Sequence, residues 1–361
     1  IIGSASAFVE STLAQIYKKK GEDGTCYGGP AYYIEAALRC RPLAIAFCIA
    51  MIATYAFGFN MLASYNLQST FAGFSFYHAD VTPWIIGGIL AVLTGWCLLG
   101  GGSRIVKVTS MLVPVMGVAY IVVALIVVVI NIRYIPDVFA TIFREAFDFQ
   151  AIFGAFAGSA MMQGIRRGLY SNEAGIGSAP NAAASANVTH PVKQGLIQTL
   201  GVFTDTLVIC TCTAFIILFG GVPDASLSGI QLTQAALVGE IGPAGGIFVA
   251  VAIFLFAFSS IIGNYYYGEA NVRFITRRPW VLTLYRVLVG GMVLFGALAT
   301  LDLAWSLADI TMAFMTLINL VAIILLGRQA FLLLVDYVGQ RRRGIKNPVY
   351  TRDRIPSLKD K

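Results

Sequence analysis

The chain has 361 residues, of which 58% are hydrophobic and 12% charged, with a mean hydropathy of +0.77; soluble domains carry about 25% charged residues. That balance excludes an ordinary soluble domain and reads as a polytopic membrane protein. The net charge of +7 does not point to nucleic acid as a partner, because the basic residues lie scattered in short loops between apolar runs, the pattern that sets membrane orientation.

Ile1 to Tyr17 reads as the last part of a membrane helix, with Glu10 near its exit, so the chain is expected to be N-terminally incomplete. Lys18, Lys19 and Lys20 follow, Gly28-Gly29-Pro30 marks a turn, and Tyr32 to Leu38 predicts a short interfacial helix. Apolar spans are predicted at 43–72, 83–101, 108–132, 151–187 with an interruption, 197–221, 245–271, 280–300 and 304–327. Residues 328–361 are expected to form a basic cytoplasmic tail. Trp84, Trp280 and Trp305 stand at span starts, where interfacial aromatic belts fall. The spacing of Ile135, Val138, Phe139, Ile142 and Phe143 predicts an amphipathic surface helix, and Leu232 to Val238 a short helix over an outer vestibule.

Loop charges test the layout. With the first loop cytoplasmic, that side collects Lys18, Lys19, Lys20, Arg39, Arg41, Arg104, Lys107, Lys193, Arg273, Arg277 and Arg278, against Arg133 and Arg144 opposite. The bias follows the positive-inside rule and requires 151–187 to cross an odd number of times. Cys26, Cys40, Cys48, Cys97, Cys210 and Cys212 suggest buried thiols with no disulfide frame. His78 and His190 lie in different loops, which gives zinc chemistry little to stand on.

The stretch from Ala151 to Ala186 organises the rest. Its first half is apolar enough for lipid, but Arg166, Arg167, Ser171, Asn172, Glu173, Gly175, Gly177, Ser178 and Pro180 follow before an Ala-rich run. A continuous span needs about 20 apolar residues, and a charge at its centre costs about 2.5–3.5 kcal/mol. The segment therefore predicts a helix broken at membrane depth, as secondary transporters use to build substrate sites. Two short helices joined by a cytoplasmic loop carrying the arginines are the alternative.

Other polar residues interrupt apolar spans. Asp205 is a functional candidate by position, although a structural or gating ion pair with Arg166, Arg167 or Lys193 is the favoured reading. Thr206, Thr211 and Thr213 are expected to bond back to their own helix. Ser259 and Ser260, beside a locally irregular backbone, suit a hard cation that takes oxygen ligands, while serine pairs also serve helix packing. Glu269 and Arg273 are spaced for an intrahelical pair. Asn60 and Asn66 suggest either a polar cavity or helix–helix hydrogen bonding.

GLYSNEAGIGSAPNAA (Gly168 to Ala183), HPVKQG (His190 to Gly195), VFTDTLVICTCTA (Val202 to Ala214), FAFSSIIGNYYYGE (Phe256 to Glu269) and GGPAYYIE near residue 30 together resemble the bacterial and archaeal alanine/glycine:cation symporters. The resemblance covers essentially the whole chain. It implies an all-α polytopic membrane protein of the amino-acid/polyamine/organocation superfamily, with the inverted five-helix repeats and discontinuous helices of a leucine-transporter-like fold. Spans from 43–72 onward would be core helices three to ten, with helix one and most of helix two missing upstream. Sodium would then sit against Ser259, Ser260 and the carbonyl of Phe256, and substrate near Gln163, Gly164, Asn60, Ser260 and Asn264. The resemblance leaves Asp205, Arg166, Arg167 and Glu173 as gating or structural groups. Two departures stand out. A GTGNIAGVATA-like motif of helix one is not in the chain, and Ala63 and Asn264 stand where many members have Gln and Trp.

The expected function is sodium-coupled symport of a small neutral amino acid, of the alanine/glycine class, by alternating access in a bacterial inner membrane. The whole of 1–361 would be one transporter domain with lipid, sodium and amino acid as its partners, sodium acting as coupling ion and no cofactor required. A proton-coupled amino-acid carrier, titrating at Asp205 or Glu173, is the alternative. An intramembrane enzyme would need a clustered nucleophile and base that the sequence does not offer.

Overall fold

A computed structural model describes residues 2–21, 26–147, 160–220 and 227–351. Its helices are α1 (Ile2–Tyr17), α2 (Pro30–Leu38), α3 (Arg41–Ser69), α4 (Thr82–Leu99), α5 (Gly101–Ile130), α6 (Ile135–Ala146), α7 (Ala160–Asn172), α8 (Ala179–Ser185), α9 (Pro191–Phe219), α10 (Ile230–Ile241), α11 (Pro243–Ile275), α12 (Pro279–Leu298) and α13 (Leu301–Arg342). Among the described residues seven helices are long and apolar enough to cross a membrane: α3, α4, α5, α9, α11, α12 and α13. Two residues of strand on either side of the first loop pair antiparallel, Lys19 opposite Tyr27 and Lys20 opposite Cys26. An all-α polytopic membrane protein is what the composition demanded, since lipid leaves helices to satisfy their own backbone.

The helices pack as a bundle. α1 lies against α8, α9 and α13; α3 lies against α11, α12 and α13; α4 packs on α12, and α5 on α9 and α11. One apolar core joins α1, α2, the first half of α3 and α13 through Tyr33, Phe47, Met51, Met315 and Leu333, with Ile176 inserted among them. A second joins the outer half of α3 to α4, α11 and α12 through Leu67, Leu90, Ile261 and Val289. Small residues set the closest crossings, as they do between membrane helices. A Cβ on Gly58 would stand 2.8 Å from the Ala308 Cα, and one on Gly296 only 2.5 Å from the Met61 Cα. Beside that second crossing, the Ser64 hydroxyl donates to the Val293 carbonyl at 2.6 Å.

Several expectations change in detail. The segment predicted as interfacial forms α2, but Tyr33 and Ile34 are wholly buried in the first core, because the apolar face of so short a helix finds α1 and α3 beside it. α11 runs through Ser259 and Ser260 without the expected irregularity. The irregular turns fall elsewhere, as π-helical turns at Ala53–Gly58 in α3 and Asp205–Cys210 in α9. α13 continues to Arg342, well past the predicted end at 327, and buries Ala330 and Leu333. The chain after it folds back: the Val349 N–H donates to Gln340 at 3.0 Å, the Tyr350 N–H to the Thr189 carbonyl at 3.0 Å, and the Thr189 hydroxyl to the Pro348 carbonyl at 2.9 Å. The segments expected as a surface helix and as a helix over the vestibule are both helical, as α6 and α10, and Arg273 meets Glu269 at 2.8 Å as spaced.

The Gly296 crossing predicts that Gly296→Val destabilises the protein by about 1–3 kcal/mol through overpacking. Gly291→Ala, where nothing lies within reach of the new methyl, should leave thermal unfolding in detergent unchanged or raised. The docked tail predicts a pH effect. His190, wholly buried, accepts the Val192 N–H on Nδ1 and sits with Nε2 3.4 Å from Asp336. Burial pushes its imidazole below the usual range, against the opposing pull of Asp336. The unfolded chain therefore takes up the proton first, and stability should fall as pH drops below about 6.5. His190→Gln should flatten that part of a thermal-unfolding series.

Candidate functional site

Between α7 and α8 the helix is interrupted over 173–178, flanked by Asn172 and Ala179. Three residues take left-handed backbone: Glu173 at φ 50°, Gly175 at 91° and Gly177 at 89°. Glycine suits two of these positions without strain, and Gly177 has a second reason. A Cβ there would stand 2.7 Å from Pro30 Cγ and 2.9 Å from Phe47 Cζ. Ala151 to Ser159, the apolar first half of the predicted broken span, lies outside the described residues.

A helix broken away from water must find new partners for its freed backbone, and here side-chain amides supply them. Asn319 of α13 donates to the Gly175 carbonyl at 2.9 Å, and its own oxygen accepts the Tyr33 hydroxyl. Asn181 donates to the carbonyls of Gly177 at 3.0 Å and Ser178 at 2.9 Å, while Asn271 of α11 donates to Asn181 at 3.1 Å. Below α8, Gln15 of α1 and Lys18 just after it each donate to the Ala186 carbonyl at 2.9 Å, covering a helix end that would otherwise keep an orphan acceptor. Glu173 spans the break, accepting the Ser178 hydroxyl at 2.9 Å and the Tyr55 hydroxyl at 3.0 Å.

Both π-helical turns face this loop. Tyr55 belongs to the one in α3. The one in α9 presents Asp205, which accepts the Ser171 hydroxyl, and Thr206, whose hydroxyl donates to Asn172 at 2.7 Å. Such turns present side chains that a regular ladder would hide, and they are frequent at functional sites. Thr206 therefore bonds across helices instead of back along its own. Thr211 and Thr213 do reach back, at 3.3 Å and 3.2 Å, and Thr213 also meets the Tyr120 hydroxyl at 2.6 Å.

The ion pair expected at Asp205 is not formed. Arg167 instead grips Asp309 of α13 with one guanidinium nitrogen, at 3.0 Å and 2.7 Å from its two oxygens, and lies over the Trp305 ring at 3.6 Å. Lys193 reaches Asn347 at 3.5 Å, and Arg166 is exposed. Arg167 stands a turn before Ser171, beside α13, where a carboxylate and an indole face suit a guanidinium better than a single carboxylate would. From Trp305 a run of edge-on rings leads to the break: Tyr170 at 5.1 Å, then Phe59 and Tyr55 at 4.8 Å each, then Tyr267 at 5.2 Å.

The remaining predicted residues fall in two places. Asn264 donates to Asn60 at 2.9 Å, both buried, and Asn60 donates to the Ala56 carbonyl of the π turn at 3.3 Å. On α11, Ser259 is buried, with its hydroxyl donating to the Phe256 carbonyl at 3.0 Å, whereas Ser260 is exposed. Gln163 and Gly164 are exposed in the first turns of α7, inside the helix and ahead of the break. Gln163 makes no hydrogen bond to Asn60 or Asn264 among the described residues. Among the residues of the site that escaped the sequence reading are Tyr55, Asn271, Asp309, Asn319 and Glu10, the last noticed only for its place near a helix end. Applying to the span at 304–327 the rule that singled out Asp205 finds Asp309 and Asn319. Tyr55, an aromatic in an apolar run, leaves no such signal.

A bundle of spanning helices around one unwound, amide-repaired segment defines a membrane transporter. The sequence matches the sodium:alanine symporter family over residues 1–352, and the chain belongs to that family. The amino-acid carrier protein AlsT of Bacillus subtilis is 48% identical over 99% of this chain and 76% of its own length. The probable sodium/glutamine symporter GlnT of the same organism is 47% identical, over 98% and 73%. The sodium/proton-dependent alanine carrier protein of Bacillus sp. strain PS3 is 33% identical, over 97% and 81%. The family is one of multi-pass plasma-membrane transporters that move amino acid with a cation, and not of enzymes.

The Arg167–Asp309 contact predicts a measurable coupling. In a double-mutant cycle of Arg167→Ala and Asp309→Ala, read by thermal unfolding in detergent, the pair should be non-additive by about 1 kcal/mol. Additive losses would mean that the contact contributes nothing.

Proposed function

We propose that the chain carries a small neutral amino acid, alanine foremost, together with sodium, by alternating access around the break between α7 and α8. The observation that carries the reading is that break: an unwound segment among spanning helices, with three left-handed residues and with polar groups in and beside it tied to α3, α9, α11 and α13. Substrate is assigned to the neighbourhood of Asn60, Asn264, Ser260, Gln163 and Gly164. Sodium, the co-substrate, is assigned to Ser260, Ser259 and the Phe256 carbonyl, an all-oxygen set that suits a hard cation. Ser260 leads that set because its hydroxyl is open, whereas the Ser259 hydroxyl is already bonded to Phe256. Arg167 with Asp309, and Glu173 with Tyr55, are assigned to gating. The inverted-repeat arrangement is part of the proposal, supported by the packing of α1 on α9, α3 on α11 and α4 on α12.

Coupling then follows from linkage. If sodium and amino acid each bind the same conformation more tightly, each raises the affinity of the other by the same factor. No covalent step is required.

Two finer choices are left for measurement by the relatives' names, which speak of glutamine as well as alanine, and of protons as well as sodium. Ala63 and Asn264 both bear on the first choice, since they replace bulkier residues expected in the family. The test is uptake of labelled alanine, glycine, serine and glutamine by the full chain in proteoliposomes, with sodium present or replaced. Alanine uptake that collapses on sodium replacement is the expected result. Ser260→Ala should weaken the sodium dependence while the protein is still inserted in the membrane. An unchanged sodium response in that variant would remove Ser260 from the cation site.

A further inference from the structure

Glu10 lies in the middle of α1, wholly buried, and no hydrogen bond of full geometry reaches its carboxyl oxygens. A buried carboxyl so loosely held is rare enough to require a reason, and a purely structural position would be filled more stably by an apolar side chain. Its place supplies the reason. Glu10 Oε1 stands 3.8 Å from where a Cβ on Gly175 would be. The backbone amides of Gly175 and Gly177 and the side chain of Asn319 face it. It is therefore aimed at the two left-handed glycines of the break, the segment whose rearrangement opens and closes the transport path.

No cation faces it. Glu173 bears on it from the break and the Tyr33 hydroxyl from α2. Several charged groups of the other packed helices are engaged elsewhere: on α9, Lys193 with Asn347 and Asp205 with Ser171, and before it His190 with Asp336; on α13, Asp309 with Arg167, while Arg328 is exposed. α8 carries no charged residue. On α2, Glu35 meets Lys19 and Arg41. An ionised carboxylate in such a place, dry and near a second carboxylate, is strongly disfavoured. A metal cation does not relieve it, because amide donors line the wall and the Gly175 carbonyl is already taken by Asn319. A proton does.

We propose that Glu10 is a proton-binding site of the transport cycle. Its carboxylate accepts a proton from water on one side when the break parts from α1. The neutral acid is carried while the break is closed against it, and the proton is released to water on the other side when they part again. The inference rests on the reading of this chain as an amino-acid carrier and adds a second coupled ion at a place remote from the serines of α11.

The test uses the full chain in proteoliposomes with a pH-sensitive dye trapped inside. Wild type should show alanine-evoked proton movement, and Glu10→Gln should lose it and lose the pH dependence of uptake. Glu10→Asp should restore part of both. Cooperative thermal unfolding in detergent marks the Gln variant as folded. If it does not fold, dicyclohexylcarbodiimide, which reacts with protonated carboxyls in apolar surroundings, is applied to wild type and the modified residue mapped. Labelling at Glu10 in step with loss of proton movement supports the site, and labelling confined to Glu173 or Asp205 overturns it. Sodium-driven alanine uptake with no proton movement overturns this inference alone, whereas a chain that moves no amino acid under any gradient overturns both readings.

Discussion

The structure depends on one constraint: peptide groups released inside a membrane must be hydrogen-bonded by protein, since no water is there to take them. Several unusual polar residues of the bundle answer to it. Asn319, Asn181 and Asn271 come from three different helices and hold carbonyls or one another at the same loop. Glu173 closes the gap with two hydroxyls. The result is a segment that is irregular yet supported from several sides, so that any second conformation of it would be a distinct arrangement and not a continuum of loosened ones.

The two π-helical turns extend that support. Each sits in a long span opposite the break and offers a side chain to it, Tyr55 from α3 and Asp205 with Thr206 from α9. A regular helix has a fixed angular interval between successive side chains, so a local change of pitch is one way to aim a residue without bending the span. Asn60 lies just past the first of these turns and meets Asn264 across the helix interface. The aromatic run from Trp305 to Tyr267 then fills the space between the outer ion pair and the loop with rigid rings whose edge-on contacts favour particular geometries.

Much of this was legible in the residues, for reasons that differ by element. The spans stood out because apolar length is a strong signal, and the break because SNEAGIGS combines a charge with glycines where lipid excludes both. The pairing of Glu269 with Arg273 is local and follows from spacing. What escaped was everything non-local. The chain shows Arg167 and Asp205 as charges of opposite sign, but not that α13 carries Asp309 closer. It shows two adjacent serines, but not that one is turned toward Met116 and buried while the next is exposed. Helix ends were also misjudged where amphipathic turns continue past the apolar stretch, as in α13 beyond 327.

That last helix has a mechanical meaning. At a rise of about 1.5 Å per residue, its 42 residues make a rod of roughly 63 Å, about twice the thickness of a bilayer's hydrocarbon core. One continuous element thus bears the carboxylate that Arg167 grips, the amide that holds Gly175, and the carboxylate beside His190. Taking Asn319 as fulcrum, the arm to Asp309 is about 15 Å and the arm to Asp336 about 26 Å. A small tilt would draw one end inward as the other swings out, by unequal strokes, so a rigid lever could link the two faces of the membrane without any signal passing through the loop itself.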